Sequence, residues 1–378
     1  MNINSFKSGK YEQRLEYRAF VPELICHEWD IADAELTDLL GRADRALGEL
    51  NAYSQLIPDI DFVIRAYVAK EAAQSSRIEG TQTNIEDAFK DANDLKPEER
   101  DDWAEVQNYI HAINFAIGSL HKLPLSNRLL CETHAVLMAG VRGKHKQPGE
   151  FRVSQNWIGV SLRNAAFVPP HNEHVPELMG DLEKLLHTAD FFVHPLVRIA
   201  IAHYQFETIH PFLDGNGRLG RLMISLYLAA TGLLGKPALY LSDYFERNKT
   251  AYMDHLMAVR EGNHLREWLV FFLHGVEETA HGSASVFRAI LEIKHRIEGE
   301  VLPRFSVARL EKARALIRSL YAQPFVNVRR AAKIIGGTVN TASSLITELV
   351  TQNVLVEVTG RQRDRLFAFH QYLALFRK

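Results

Sequence analysis

At 378 residues with 47% apolar side chains, the chain has material for two or three globular domains, and without a run of about 18 apolar residues it offers no membrane-spanning helix. Its only cysteines, Cys26 and Cys131, stand far apart and outside any CxxC pattern, which argues against a disulfide framework or a zinc site. The formal charge of −2 conceals an asymmetry: residues 301–378 carry 13 Lys and Arg against 4 Asp and Glu, so a tail of +9 follows a body of −11, and the two are expected to meet different partners.

The opening MNINSFKSGKYEQRLEYRAF lacks the basic and apolar regions of a secretory signal, so a cytoplasmic protein is expected. From about residue 31 to 121, apolar residues recur every three or four positions in IADAELTDLLGRADRALGEL, DFVIRAYVAKEAAQSSRIEG and DWAEVQNYIHAINFAIGSL, which predicts helices, with the charged KDANDLKPEERDD as a loop before the last. The second of these helices closes in SSRIEGT, residues 75–81. Ser75 and Glu79 are spaced i,i+4 and share a face, and Gly80 suits the residue that ends a helix. A glutamate near a helix C-terminus is opposed by the macrodipole and gains from a cation elsewhere.

A helix is predicted around NRLLCETHAVLMAG, and the turn-rich GKHKQPGEFRVSQNWIGVSLRNAAFVPPHN is the best candidate for a β-hairpin. Helical spacing returns in HVPELMGDLEKLLHTAD and HPLVRIAIAHYQFETI, and again in RLGRLMISLYLAATG after a short loop. The stretch AYMDHLMAVREGNHLREWLVFFLHGVEE leads into a long helical connector, and the pattern changes near Pro303. Two helices across a short turn in VNVRRAAKIIG and TVNTASSLITELVTQN, followed by two strands around TGRQRD, predict a C-terminal winged helix-turn-helix over residues 303–378. The expected class is therefore mainly α, with a β-hairpin and that C-terminal domain.

The loop between the two central helices reads HPFLDGNGRLGR, residues 210–221. Gly215 and Gly217 permit positive φ and close backbone approach, so successive N–H groups can form an anion nest at the start of the next helix, whose dipole adds to the attraction. Arg218 and Arg221, three apart on one face, can clamp neighbouring phosphates, and Asn216 adds a neutral donor. Asp214 offers one oxygen ligand for Mg²⁺, which takes phosphate oxygens and water for the rest of its shell. A nucleoside triphosphate with magnesium fits this set. His210 is the one nearby group whose ordinary pKa suits a general base, and close cations would keep it neutral; His203 is expected to pack or cap. No GxxxxGK[ST] is present, nor a kinase HRD or DFG. The plainer alternative is a polar corner in which Asp214 caps a helix and the arginines pair with surface acids.

HPFLDGNGRLGR resembles the signature of Fic-domain proteins, HPFx[DE]GNGRxxR, with every specified position filled. The resemblance implies a helical bundle bearing a flap and transfer of AMP from ATP to a Ser, Thr or Tyr hydroxyl of a protein. It implies that His210 deprotonates the hydroxyl, that Asp214 holds Mg²⁺, that Phe212 plugs the core beneath the loop, and that Gly215, Asn216, Gly217, Arg218, Leu219, Gly220 and Arg221 cradle the triphosphate. EFRVSQNWIGVSLRNAAFVPPHN resembles the family's flap, about residues 151–172, where an exposed edge can pair with an extended target segment. LYLSDYFERNKTAYMDHL resembles the region that places an asparagine near adenine, here Asn248. SSRIEGT matches the family's inhibitory pattern [ST]xxxE[GN], which implies that Glu79, with Ser75 and Gly80, pairs with Arg221 and blocks the productive pose of the γ-phosphate. The regions expected from the resemblance are 1–121, an N-terminal helical part with the inhibitory motif at 75–80; 122–280, the catalytic core; and 303–378, the winged helix.

An autoinhibited protein adenylyltransferase is the leading reading. Within enzymes the alternatives are removal of AMP with Glu79 positioning water, or transfer of UMP, phosphocholine or a phosphoryl group, the last disfavoured by Gly217. From another class comes a DNA-binding regulator with a sensing body, supported by the +9 tail and by Arg361, Arg363 and Arg365, which could contact phosphates. Against it, the expected recognition helix has no Lys or Arg. Expected partners are ATP, a target protein on the flap, a second copy with self-modification, and DNA; a membrane is not among them.

Overall fold

The computed structural model describes residues 2–14, 16–57, 60–90, 95–140, 146–361 and 364–376. Two short strands come first, β1 (Gly9–Gln13) and β2 (Arg18–Pro22), paired antiparallel with Lys10 opposite Val21. This hairpin was not expected from the sequence. Its apolar face is short, and Phe20 finds cover by packing on Phe167 of a distant segment at 6.0 Å.

Four helices follow: α1 (Ala34–Leu56), α2 (Ile60–Ile78), the single turn α3 (Ile85–Ala88) and α4 (Arg100–Ser119). Asp33 starts α1 by accepting a hydrogen bond from the Leu36 N–H at 2.9 Å, which satisfies one of the orphan donors of a helix N-terminus. Then come α5 (Asn127–Leu137), a hairpin of β3 (Ile158–Gly159) and β4 (Ala165–Phe167), α6 (Val175–His187), α7 (Pro195–Ile209) and α8 (Asn216–Ala230). The expected flap is thus a small paired core with a bulge between Ile158 and Gly159, flanked by irregular chain.

The remaining elements are α9 (Ser242–Arg247), α10 (Lys249–Gly262), the 32-residue α11 (Leu265–Arg296), α12 (Val307–Ala322), β5 (Phe325–Asn327), α13 (Val328–Ile334), α14 (Val339–Thr351), β6 (Val356–Glu357), β7 (Leu366–Ala368) and α15 (His370–Ala374). A π-helical turn at Ile297–Val301 ends α11 just before Pro303, where the sequence pattern changes. The C-terminal strands form one antiparallel sheet in the order β5-β7-β6. Of the three wing arginines, Arg363 lies outside the described residues.

The core is built around α7, whose residues from Leu196 to Ile209 are all buried except Arg198. A helix apolar on every side must be enclosed by others, and α6, α8 and α11 do so. Trp268 of α11 is fully buried, and its indole N–H donates to the Ala200 carbonyl at 2.9 Å, so a large ring enters the core without an orphan donor. The C-terminal unit is seated on α2: Tyr67 lies edge-on to Phe376 at 5.3 Å and to Phe287 at 5.1 Å, and its hydroxyl donates to the Ser283 carbonyl at 3.2 Å. The α2 helix therefore touches α4, α8, α9 and α12 at once.

Truncating Trp268 to Ala removes the largest fully buried ring and leaves a cavity between α7 and α11. Urea unfolding should show a loss of about 3–5 kcal/mol; a loss below about 1 kcal/mol would mean that these helices are not held together by this contact.

Candidate active site

Helix α7 ends at His210, which adopts the left-handed conformation, φ 50° and ψ 60°. Glycine takes that shape freely, whereas a histidine held there is strained, so the surroundings must over-determine it. They do. Arg152, 2% exposed, donates from Nε to the His210 carbonyl at 3.0 Å and from its Nη atoms to the carbonyls of Ser154, Pro170 and Ile209. Asn156 donates to the carbonyls of His210 at 3.0 Å and Phe212 at 2.9 Å. These two side chains satisfy carbonyls that the end of α7 leaves open, and they tie the base of the flap to the loop.

The loop itself is braced from beneath. Phe212 is fully buried and stacks on His134 of α5 with ring centroids 3.9 Å apart. His134 Nδ1 accepts from the Gly149 N–H at 2.9 Å, which leaves Nε2 carrying the proton that it donates to the Asp214 carbonyl, also at 2.9 Å. Asn216 spends both amide functions on Phe212, accepting from its N–H and donating to its carbonyl at 2.8 Å each. The sequence reading grouped the Asn216 side chain with the phosphate donors; in the structure it braces the loop. Gly215 opens α8 at φ 75°, where a side chain would be strained.

The cleft above this loop encloses ≈ 610 Å³ and is lined by His210, Asp214, Gly215, Gly217, Arg218 and Arg221 together with Glu79 from the end of α2 and Trp157, Ile158 and Phe167 from the flap. The residues expected from two distant motifs thus meet. Arg221 is buried to 2% exposure and donates from Nε to Ser75 Oγ at 2.9 Å, and from Nη2 to the Ser75 carbonyl at 2.9 Å and to Glu79 Oε1 at 2.7 Å. The Glu79 side chain is packed around by protein on the cleft side yet open to solvent through the mouth, with 41% of its surface accessible. Burial pushes its carboxyl up, but the charge and hydrogen bond of Arg221 outweigh that and hold it below the usual carboxylate range. Gly80 follows at φ 106° and ends the helix as expected.

Other expected residues stand elsewhere. Leu219 is fully buried core, and Gly220 packs on Phe206 and Glu207 of α7, so neither lines the cleft. Asn248 donates to the Tyr244 carbonyl at 2.9 Å and caps α9; the far end of the cleft is lined by Tyr252, Met253, Leu256, Met257 and Arg260. Sequence reasoning missed the carboxylate opposite Arg218. It is Glu105 of α4, 3.4 Å away and equally buried. It also missed Arg152, His134 and Arg260, of which Arg260 is 5% exposed, donates to Thr208 Oγ1 and the Glu207 carbonyl, and lies 4.0 Å over the flap's Phe167 ring. No local signal marked them, because each acts through a contact more than 50 positions away, and the EFR context of Arg152 reads only as flap.

Four guanidinium groups, Arg152, Arg218, Arg221 and Arg260, are thus buried around the loop, and the carboxylates of Glu79, Glu105, Glu207 and Asp214 line the same cleft. The arrangement can receive an anion where guanidinium groups and the N-terminus of α8 face the cleft. Burial, reinforced by Arg260 and Arg152, pulls the His210 ring down to about 4, so it is neutral near pH 7 and able to accept a proton. Asp214 keeps one oxygen on the Gly215 N–H at 2.7 Å and the other 3.3 Å from Lys146 Nζ. Among the described residues no group of three or more His, Cys, Asp or Glu side chains converges. The Asp214 carboxylate beside the N-terminus of α8 suits Mg²⁺, which is held by one or two carboxylates plus substrate oxygens and water.

His203 is fully buried, with its Nδ1–H on the Gly220 carbonyl at 3.0 Å and Nε2 accepting from the Tyr252 hydroxyl at 2.9 Å. Burial pulls this ring down to about 3 from an ordinary 6.5. Its folded pKa lies below its unfolded one, so its contribution is complete above pH 6.5 and is lost as the pH falls. The stability cost of His203→Gln, read from unfolding midpoints, should therefore shrink by about 1.4 kcal/mol per pH unit between 6.5 and 5. A cost independent of pH would mean that the ring is not held neutral.

Residues 37–118 match the Fic/DOC family N-terminal profile and residues 124–228 match the Fic/DOC family profile. The protein adenylyltransferase Fic of Aedes aegypti is 33% identical over 132 residues, 35% of this chain and 24% of that protein; the protein of the same name from Drosophila erecta is 28% identical over 184 residues, 47% of this chain and 34% of that one. The chain spans about a quarter to a third of the length of these curated relatives. A Fic family protein from Desulfovibrio desulfuricans shares the fold, with a TM-score of 0.55 over 90% of this chain and 97% of the other at 20% identity. The chain carries a Fic/DOC-family N-terminal region and a Fic/DOC domain.

Proposed function

We propose that this Fic/DOC-family chain is a protein adenylyltransferase that moves AMP from ATP to a Ser, Thr or Tyr hydroxyl of a protein and is restrained by its own Glu79. The observation that carries the reading is the His210 ring, held in a strained conformation in a cleft that the buried Arg218, Arg221 and Arg260 also line. The names of the relatives support the same chemistry.

In this reading the triphosphate lies along the N–H groups at the start of α8 and between Arg218 and Arg221. Donors fixed in advance in a water-poor cleft stabilise charge that develops on the phosphate without reorganising. The target hydroxyl oxygen attacks the α-phosphorus, its proton passes to His210, the bond from the α-phosphorus to the bridging oxygen breaks, and pyrophosphate leaves. Asp214 would hold Mg²⁺, which supplies charge neutralisation on the phosphate oxygens. The flap is the docking edge for the target, supported by its exposed Val153, Trp157 and Val160. A second copy of the chain could serve as such a target. The working parts are residues 1–121 with the latch, 122–280 as the catalytic core and 303–378 as a winged helix. No helix among the described residues is long and apolar enough to cross a membrane.

Glu79 takes the side of Arg221 that faces Gly217, where an added side chain would collide with both the Glu79 carboxylate and the guanidinium. Entry of a phosphate there requires the carboxylate to withdraw. A preference of about 2–3 kcal/mol for the paired state leaves roughly 1–3% of molecules open. Glu79→Gly should therefore raise incorporation of label from α-labelled ATP by about ten- to a hundredfold, while Glu79→Gly/His210→Ala incorporates none and γ-labelled ATP leaves no label on protein. Equal incorporation by wild type and Glu79→Gly would remove the latch, and label surviving without His210 would remove the base.

A second activity is favoured by charge alone. Arg329 and Arg330 at the start of α13 and Arg361 and Arg365 around the wing are exposed in a tail of +9. If this surface takes DNA, the full chain should bind duplex with an affinity that falls steeply with salt, and Arg361→Ala/Arg365→Ala should flatten that dependence. Absence of salt-sensitive binding would point to a protein partner instead.

A further inference from the structure

Arg221 lies between two carboxylates on one face of α8. Glu79 stands over Gly217, and Glu207 of α7 stands over Gly220; at either glycine an added Cβ would run into a carboxylate oxygen. Three positions separate the two glycines, so they share a helix face, and Arg221 follows directly. Glu207 is 6% exposed, and its Oε1 is buried without a hydrogen-bond partner. An unmatched carboxylate oxygen is expensive in a packed interior and is retained where some state of the protein uses it.

We propose that Glu207 is the standby counter-ion of Arg221, a positioning carboxylate that holds the guanidinium in the cleft once Glu79 has withdrawn. The inference rests on the reading of Glu79 as a latch. While Glu79 is paired, Arg221 needs no second anion; burial and the neighbouring Glu79 charge push the Glu207 carboxyl up to about 7, against the pull of Arg221. Withdrawal of Glu79 removes the repulsion and leaves a buried cation whose remaining hydrogen-bond partners are neutral, the hydroxyl and carbonyl of Ser75 and the Tyr252 phenol. Breaking a buried ion pair by removing one partner is costly because the survivor is left uncompensated. Glu207 is the carboxylate already beside it on the α7 side, away from Gly217. It keeps Arg221 from swinging out before phosphate arrives.

The test is a double-mutant cycle on the full chain: wild type, Glu79→Gly, Glu207→Gln and the double variant, followed by thermal unfolding with and without the magnesium complex of α,β-methylene-ATP, which cannot transfer AMP. Glutamine keeps the shape of glutamate, so the cycle reads charge more than packing. The expected result is a drop in Tm for the double variant larger than the sum of the two single drops, and a larger nucleotide-induced rise in the double variant than in Glu79→Gly, because the phosphates then supply the missing anion. Additive drops, or equal nucleotide-induced rises, would overturn the assignment. Neither readout requires turnover. Additive drops alongside a hyperactive Glu79→Gly variant would defeat this inference alone, and non-additive drops without any AMP transfer would defeat the adenylyltransferase reading alone.

Discussion

A guanidinium at 2% exposure cannot be left without anions, and Arg221 is the point on which this structure turns. Its Nε and Nη2 donors reach Ser75 and Glu79 on α2, the Tyr252 phenol of α10 lies beside it, and Glu207 approaches from α7. One side chain thereby fixes the mutual placement of four helices. The same charge that stabilises the packing is the charge that a polyphosphate would seek, so the fold and the proposed chemistry compete for one group. In the proposed function that competition, more than any separate lid, sets the resting state.

Much of this could be read from the residues. The spacing of apolar positions gave the long helices, and the concentration of three glycines, two arginines, an acid and a histidine in twelve positions singled out the loop as a candidate anion site. The pairing of Glu79 with Arg221, 142 positions apart, was accessible only because SSRIEGT resembles a known pattern. The helical surroundings of Glu79 by themselves say no more than that it would gain from a cation.

What stayed hidden was of two kinds. Partners that act across long sequence distance, such as Glu105 for Arg218 and His134 for the Asp214 carbonyl, leave no local trace, because a buried acid on an amphipathic helix looks like any interfacial glutamate. Residues whose type suggested one role were drawn into another by the backbone. Asn216 has the donors to bind phosphate, yet the sharp turn at Phe212 left an N–H and a carbonyl that needed it first. The N-terminal hairpin was missed for a different reason: its five-residue strands show little alternation, and their cover comes from Phe167 of the flap.

The seating of the C-terminal unit on α2, through Tyr67 against Phe376, bears on how quickly the proposed latch could act. A helix wedged against four others cannot leave without unfolding part of the core, an event on the scale of microseconds to seconds. A carboxylate at its solvent-facing end needs only a rotamer change, on the scale of picoseconds to nanoseconds. Opening would then be frequent and brief, far faster than any turnover. A regulator acting on such a device has nothing to pry apart; it alters the fraction of time that the side chain spends turned away.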